Sequence, residues 1–470
     1  MSPRSTLALA LLSAGLSACA TLTPAPLPKP PKHQTLIPAQ WTAPVAHEGS
    51  LVDLRQWWGQ TGDALLPVLI DRAQAASPNL SSAAARLEQA RAERVISGAA
   101  LGPSIDAGAS VSRGNNQFPL PLSRLANASL TASWEIDLFD ARKLALQAAQ
   151  ARLEGAQAQW HDARVVVAAE TALQYLSFRH CERVRALLDE DHQALLQLAS
   201  LARLGASAGL QAPAQAQLAQ AQASAGAARE RQQHAACESD IKVLVALTGL
   251  SEEALRAHLA SAATLPLPTP PTVAVARLPA TVILQRPDII RAERELLAAL
   301  NELGQAQAAR TPRLSLSGSI GIFSVRSRDL SSDIDTWSLG PVRMQLPVFD
   351  GGVLGAREAA SQARYEDAVR QLEAAIRQAV KDVEQALTQA DSVRLRLEHT
   401  QRSLAHLEQR HQSVLHRYRA GLATRQDLEE SSRGLIGLRI TLLGLTREQW
   451  IAGISLYRAA GGGWKDSSSS

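Results

Sequence analysis

The three cysteines are the residues whose chemistry follows most directly from type and spacing. Cys19 ends Leu16-Ser17-Ala18-Cys19 behind a short apolar stretch, a pattern typical of a bacterial lipoprotein signal whose cysteine is acylated. A plain signal peptide is the alternative. Cys181 and Cys237 each lie 28 residues from Gly209 (209 − 181 and 237 − 209). If a helical hairpin turns at Gly209, they face each other, either as a disulfide or as two buried thiols.

No other group of residues predicts catalysis or cofactor binding. The histidines of one C-terminal helix are not spaced four residues apart, so they predict a solvated helix face and no metal site: His399, His406, His411 and His416. The chain has no nucleophile-elbow, phosphate-loop or Cys-x-x-Cys motif, so we expect neither an enzyme nor a resident cofactor. Its net charge of +4 is too small and dispersed to predict nucleic-acid binding.

The composition indicates which elements must position these residues. Only 17 of the 470 residues are aromatic, whereas 84 are alanine. A thick globular core uses aromatic side chains to fill its volume, while alanine favours helices and lets their backbones approach closely. We therefore expect a mostly α-helical protein of long, closely packed helices.

Landmarks along the chain recur about 210 residues apart, which predicts an internal duplication. The proline-bounded runs 78–103 and 287–312 have equal lengths, segment 136–140 matches 346–350, and Gly209 matches Gly421. Each unit is predicted to contain a helix of about 24 residues, two strands, a helix of about 60–70 residues, a tight turn and a returning helix of about 40 residues.

Four segments alternate apolar with small polar residues and are predicted strands: 104–113, 125–135, 313–325 and 336–346. Their length suits a strand that crosses the outer membrane, and Trp134 and Trp337 are expected near strand ends. A soluble sheet with one wet face is the alternative. Four strands are fewer than the eight of the smallest transmembrane barrels, so membrane crossing requires an oligomer.

Five segments together resemble the outer-membrane efflux lipoproteins that serve tripartite resistance-nodulation-division (RND) pumps. They are 16–19, 285–289 with its Arg-Pro-Asp, 346–352, 417–421 and 456–464 with its closing Gly-Gly-Gly-Trp. The resemblance implies an α+β, mostly α, TolC-like outer-membrane efflux fold. In that fold a trimer with four strands per protomer builds a twelve-stranded β-barrel, continuous with a long periplasmic α-helical barrel.

The resemblance also implies a location, partners and a function. We expect a homotrimer in the cell outer membrane, anchored by lipid, with a large periplasmic portion. Its partners would be a periplasmic membrane-fusion adaptor protein, an inner-membrane RND pump and outer-membrane lipid, with no nucleic acid. The channel would passively release drugs or other toxic small molecules. A duct for type I protein secretion and a lipid-anchored periplasmic coiled-coil protein are the alternatives.

In this family the periplasmic tips of the hairpins constrict the channel, and the resemblance carries that role to residues beside the second turn. The implied gate residues are Arg417, Tyr418, Glu430 and Arg433, and the implied tips are Gly209 and Gly421. An Arg–Glu pair or a tyrosine hydroxyl can latch neighbouring helices, although solvated charge at a helix end is an equal alternative. Gln426 stands where relatives often carry a large apolar residue.

The first tip departs further from the family pattern. Residues 204–228 contain no charged side chain, and Ala212 or Ala214 lies where many relatives carry a carboxylate. We therefore expect a weaker electrostatic latch at the first hairpin than at the second.

The predicted domains follow the repeat. They are a signal peptide (1–18), a lipidated N-terminus with an extended tether (19–62), a first repeat (63–262), a proline-rich linker (263–278), a second repeat (279–464) and a disordered tail (465–470).

Overall fold

The computed structural model describes residues 26–29, 37–38, 40–43, 54–114, 122–263, 268, 282–327 and 331–462. The predicted signal peptide, Cys19, most of the predicted tether and linker, and the predicted C-terminal tail lie outside the described residues. Acylation of Cys19 therefore stays a prediction.

Twelve labelled helices and strands follow a short 3-10 helix, Leu54–Thr61, within the described residues. In chain order they are α1 (Leu65–Ala76), α2 (Pro78–Ala99), β1 (Ser104–Gly114), β2 (Ser123–Ile136), α3 (Ala141–Ser207), α4 (Pro213–Thr248), α5 (Glu252–Ala263), α6 (Pro287–Ala308), β3 (Arg313–Arg326), β4 (Ser331–Gln345), α7 (Val353–Arg419) and α8 (Arg425–Ala459).

The same order of elements occurs twice, which confirms the predicted internal duplication. Helices α2 and α6 each contain 22 residues, and the long helices α3 and α7 each contain 67. The returning helices α4 and α8 contain 36 and 35 residues. The exact domain bounds proposed from the sequence stay a prediction.

Two compact units each draw on both repeats. The sheet unit comprises Met1–Lys32, Ala84–Ala158 and Ile290–Ala374, and it holds all four strands. The hairpin unit comprises His33–Ala83, Gln159–Ile289 and Ala375–Ser470, and it holds both helical turns. None of the described helices is both long and apolar enough to cross a membrane.

Glycines in the left-handed conformation form the two helical turns, as predicted. Gly209 has φ 74° and Gly421 has φ 73°, a backbone conformation that costs glycine little. Pro213 then occupies the first turn of α4, where its missing N–H is not needed. Thr424 starts α8 with a capping box, in which its side chain and that of Asp427 each accept a hydrogen bond from the other's backbone N–H.

The sheet has the order β1-β2-β3-β4, and all neighbouring strands are antiparallel. The predicted fourth strand began too late. β4 starts at Ser331, because its polar first residues pair with β3, with Ser332 opposite Val325. Trp337 therefore lies inside β4 opposite Ile320, so its predicted place near a strand end is wrong.

The strand register gives the sheet a mainly apolar face and a face mainly of small polar residues. Towards the loop end the pattern is mixed, since Asp333 and Asp335 share the face of Trp337 while Phe323 and Ile334 lie on the other. One cross-strand row on the apolar face is Ala107, Leu130, Ile320 and Trp337. The adjacent row on the other face is Gly108, Ser129, Gly321 and Thr336. The apolar face is open within the described residues, since Trp337 is 79% exposed. A β-bulge between β3 and β4 keeps Leu339 and Val342 on this face.

Two sequence motifs of the second repeat meet in the hairpin unit. The buried Arg286 guanidinium donates to both carboxylate oxygens of Asp288, at 3.0 and 2.7 Å, and to the Asp382 carboxylate at 3.2 Å. It also donates to the carbonyl of Ala459 at 3.1 Å, beside the closing glycines. The Arg-Pro-Asp motif therefore fixes the end of α8 against α7 and the start of α6.

Asp63 centres a second buried network in the hairpin unit. Its carboxylate accepts from the Leu65 backbone N–H at 2.9 Å, which caps α1. It also accepts from the Tyr175 hydroxyl at 2.7 Å and from Arg179 at 3.0 Å, and the Asp63 and Arg179 side chains are each only 3% exposed. Burial, reinforced by the bond to Asp63, raises the pKa of Tyr175 well above its usual range. The hydroxyl therefore stays a hydrogen-bond donor.

We predict that Asp63→Asn destabilises the protein by about 3–5 kcal/mol, because it removes the buried carboxylate that contacts the Arg179 charge. Thermal unfolding measures the loss. Glu88→Gln is the control, since its partner Arg91 and Glu88 itself are 52% and 67% exposed. That change should alter stability by less than about 1 kcal/mol. Equal unfolding midpoints for the two variants would contradict the prediction.

Candidate functional site

The candidate site lies at and beside the two hairpin tips of the hairpin unit. At the second tip, Arg417 donates to the carbonyl of Leu422 at 3.1 Å and so closes the turn around Gly421. Basic residues in the last turn of α7 suit the negative end of the helix dipole. Arg417 therefore has a local structural contact in addition to any role in a gate.

Tyr418 and Glu430 also contact residues of their own hairpin. The Arg425 guanidinium lies 5.9 Å from the centre of the Tyr418 ring, and hydrogen bonding to Tyr418 raises the pKa of Arg425. Glu430 accepts from Gln426 at 2.9 Å. The structure thus does not bring the four predicted gate residues together as one cluster.

Arg433 makes the contact that joins the two hairpins. Its Nε donates to the Asp191 carboxylate on α3 at 2.8 Å. The other oxygen of Asp191 accepts from Arg229 on α4 at 3.2 Å. Asp191 is only 9% exposed, so its charge is held between these two guanidinium groups. One carboxylate therefore links α3, α4 and α8, and we call Asp191, Arg229 and Arg433 the interhairpin latch.

Asp191 is not among the residues predicted from the sequence, although the hairpin spacing contains a signal for it. Asp191 lies 18 residues before Gly209, and Arg229 lies 20 residues after it (209 − 191 and 229 − 209). Residues equally far from Gly209 in sequence lie at the same level of the hairpin, as Cys181 and Cys237 do. Asp191 and Arg229 therefore lie at nearly the same level as each other. The second partner of Asp191, Arg433, could not be found in this way, since distances from Gly209 in sequence carry no information about contacts with the second hairpin.

Two other ion pairs join the two helices of the second hairpin to each other. Arg439 on α8 pairs with Glu408 on α7 at 3.4 Å, and both side chains are at least 42% exposed. Arg396 on α7 pairs with Glu448 on α8 at 2.6 Å. These two contacts hold α7 against α8, whereas separation of the two hairpins would break the interhairpin latch.

The first tip exposes apolar side chains instead of charges. Leu210 at the turn is 82% exposed, and Leu204 and Leu218 beside it are also exposed. Residues 204–228 contain no charge, so the ion pair nearest this tip along the first hairpin is Asp191 with Arg229. The two tips therefore differ in chemistry although their backbones are equivalent.

Cys181 and Cys237 are brought to bonding distance between α3 and α4. Their Cα atoms lie 5.5 Å apart, a separation that a disulfide can bridge. A disulfide here would tie the first hairpin together well above its tip, closing a loop of 56 residues. The geometry supports the bonded alternative of the sequence analysis.

Comparisons with known proteins connect this geometry to a family. The sequence profile described as outer membrane efflux protein matches residues 69–249 and 278–462. The pyoverdine export outer membrane protein OpmQ of Pseudomonas aeruginosa is 31% identical over 97% of each chain. The solved outer-membrane channel OprN has a TM-score of 0.77 at 25% identity, covering 92% of this chain and 99% of its own.

A second solved structure shares the fold. The CmeC outer membrane channel of Campylobacter jejuni has a TM-score of 0.77 at 21% identity, covering 94% of this chain and 95% of its own. At that identity the likeness concerns the fold alone, and it extends over both repeats.

We predict that Cys181 and Cys237 form a disulfide in protein exported to the periplasm. Mass spectrometry of non-reduced peptides should find the two cysteines in one cross-linked species, which reduction separates. Cys181→Ser should lower stability by about 2–4 kcal/mol, because the cross-link restricts the unfolded chain. Recovery of both peptides with free thiols from the exported protein would contradict the prediction.

Proposed function

The chain belongs to the outer membrane efflux protein family, and on that premise we propose that it is the exit duct of a tripartite efflux system. It lies in the outer membrane and has a periplasmic portion. In this proposal an inner-membrane RND pump passes substrate to the duct through a periplasmic adaptor. The duct releases that substrate passively and performs no catalysis.

The two-faced sheet is the observation that carries the proposal. Its exposed apolar face suits contact with lipid, and its face of glycine, serine and threonine suits a water-filled interior. A wall of this kind needs no thick core, in agreement with the low aromatic content. A soluble sheet would cover its apolar face with other elements of the chain, and here that face is exposed.

The sheet edges support assembly into a homotrimer. Within the described residues, β1 and β4 each pair on one side only. An unpaired strand edge cannot be left in lipid, because each unsatisfied backbone group there costs several kcal/mol. Three copies would pair each β4 with the next β1 and close twelve strands. Four strands alone are too few for a transmembrane barrel.

We assign the gate to the hairpin tips. The proposed gate residues of the second hairpin are Arg417, Tyr418, Glu430 and Arg433, and the interhairpin latch adds Asp191 and Arg229. In this proposal the latch holds the two hairpins of one chain together while the duct is closed. A periplasmic adaptor that offered competing contacts to Arg433 would favour the open state.

The proposed cargo is a small molecule, either a drug or another toxic compound. The name of the 31% identical relative gives pyoverdine as its own cargo, and a compound of that kind is one candidate for this chain. The choice of cargo is expected to be made mainly by the pump. Purified duct therefore serves to test conduction and gating, but it does not test cargo specificity.

Planar-bilayer recording tests the proposal. The reconstituted protein should give discrete current steps, whereas a structural coiled-coil protein gives none. Asp191→Asn should raise the open probability roughly fivefold, which corresponds to loss of about 1 kcal/mol of closed-state ion pairing. Glu408→Gln is the matched control, because it removes a charge pair within one hairpin and should leave the open probability unchanged.

Two results would count against the proposed gate or the proposed duct. Equal opening by Asp191→Asn and Glu408→Gln would show that the interhairpin latch does not gate the channel. The complete absence of current steps from all variants, including the latch variant, would contradict a conducting duct.

A further inference from the structure

Three arginines form one row across the sheet. Arg113 on β1 lies opposite Arg124 on β2, and Arg124 lies opposite Arg326 on β3. Helices α2, α3, α6 and α7 all join the other end of the sheet. The row therefore lies at the end that carries the strand-connecting loops 115–122 and 327–330, away from the periplasmic helices.

The same register places the arginine row on the apolar face. Arg113 is two residues beyond Val111, and Arg124 is two residues before Ala126, which lies opposite Val111. Successive side chains of a strand alternate between faces, so these residues share the face that presents Ile320 and Trp337. All three arginines are exposed, and none has an ion-pair partner within 4.0 Å among the described residues.

A row of like charges directly opposite one another is unfavourable unless anions neutralise it. The nearest carboxylate by register is Asp333 on β4, which lies opposite Ser324, two residues from Arg326. It is a diagonal neighbour of Arg326 alone, and the two form no ion pair. Arg113 and Arg124 thus lack a compensating charge from their own sheet within the described residues.

The distance between the arginine row and the helical end of the sheet is close to the thickness of a membrane's apolar layer. Eight residues separate Ile105 from Arg113 on β1 (113 − 105), which is about 27 Å along a strand and about 20 Å across a membrane at the usual tilt. The apolar band of membrane barrels is about 25 Å tall. If this band contacts the hydrocarbon, the arginine row lies among the headgroups of the outer leaflet.

We propose that the arginine row binds the phosphate groups of anionic lipid headgroups in the outer leaflet of the outer membrane. The planar guanidinium group donates two parallel hydrogen bonds to phosphate oxygens, and its apolar stem can lie along the lipid-facing surface. The site is complete within one sheet. The inference rests on the membrane location of the sheet and goes beyond conduction and gating.

The test uses the full chain in phosphatidylcholine nanodiscs titrated with lipid A, whose phosphates lie in its headgroup, with the thermal unfolding midpoint as readout. Wild-type protein should be stabilised by lipid A. Arg113→Gln and Arg124→Gln should each weaken the apparent affinity roughly fivefold, and the double variant roughly 25-fold, as expected for arginines near an anionic surface. In pure phosphatidylcholine the variants should melt no lower than wild type, because a like-charge row is relieved.

Arg313→Gln with Arg343→Gln is the matched control. It removes the same number of positive charges, but these residues lie on the polar face at the helical end, where Arg313 pairs with Gln345 and Arg343 with Ser315. Its affinity for lipid A should stay within about twofold of wild type. An equal loss in the control, or an unchanged affinity in the double variant, would overturn the proposal.

A third arm separates lipid from free phosphate. Inorganic phosphate added to pure phosphatidylcholine nanodiscs should not reproduce the stabilisation by lipid A. If it does so in full, the row is a site for free phosphate and the proposal is wrong. Current steps of the double variant in neutral lipid should match those of wild type, so a failure of conduction is distinguishable from a failure of lipid binding.

Discussion

The unpaired backbone edges of β1 and β4 are the constraint on which the rest of this account depends. Every other strand edge of the described sheet has a hydrogen-bonded neighbour, and its apolar face is exposed. The hydrocarbon of a membrane can contact that apolar face, but it offers no hydrogen-bond partner to the backbone N–H and C=O groups of the strand edges. Assembly with further copies would pair the strand edges while the apolar face stays in contact with lipid. Such an assembly has thin walls, which agrees with a chain rich in alanine and poor in aromatic residues.

Duplication kept the backbone of the two repeats but allowed their side-chain chemistry to diverge. Helices α3 and α7 have the same length, and both turns use glycine with positive φ. The first hairpin places Cys181 against Cys237 and has an uncharged tip, whereas the second is held by ion pairs such as Arg439 with Glu408. Asp191 joins the two hairpins. One buried carboxylate therefore couples a first hairpin with an uncharged tip to a more polar second hairpin.

The sequence patterns predicted the helices, strands and turns well, because hydrophobic periodicity, prolines and glycines determine the backbone conformation of residues close to them in the chain. They located both turns and three of the four strands to within two residues, and they opposed the two cysteines correctly. They placed the start of β4 five residues too late, at 336 instead of 331, since its first residues are polar and are recruited by pairing with β3. The partner of the predicted gate residue Arg433 could not be predicted, because helix spacing does not reveal which hairpin supplies it. The pairing of Arg433 with Asp191 and the row of Arg113, Arg124 and Arg326 both depend on register between distant segments.

The mass of the assembly in lipid tests the central claim most directly. Native mass spectrometry of the protein released from nanodiscs counts the chains without assuming any conduction or cargo. We expect three chains per particle, because three sheets supply the twelve strands that pair every edge. Monomers that remain folded and membrane-inserted would contradict it, since each would leave β1 and β4 unpaired in lipid.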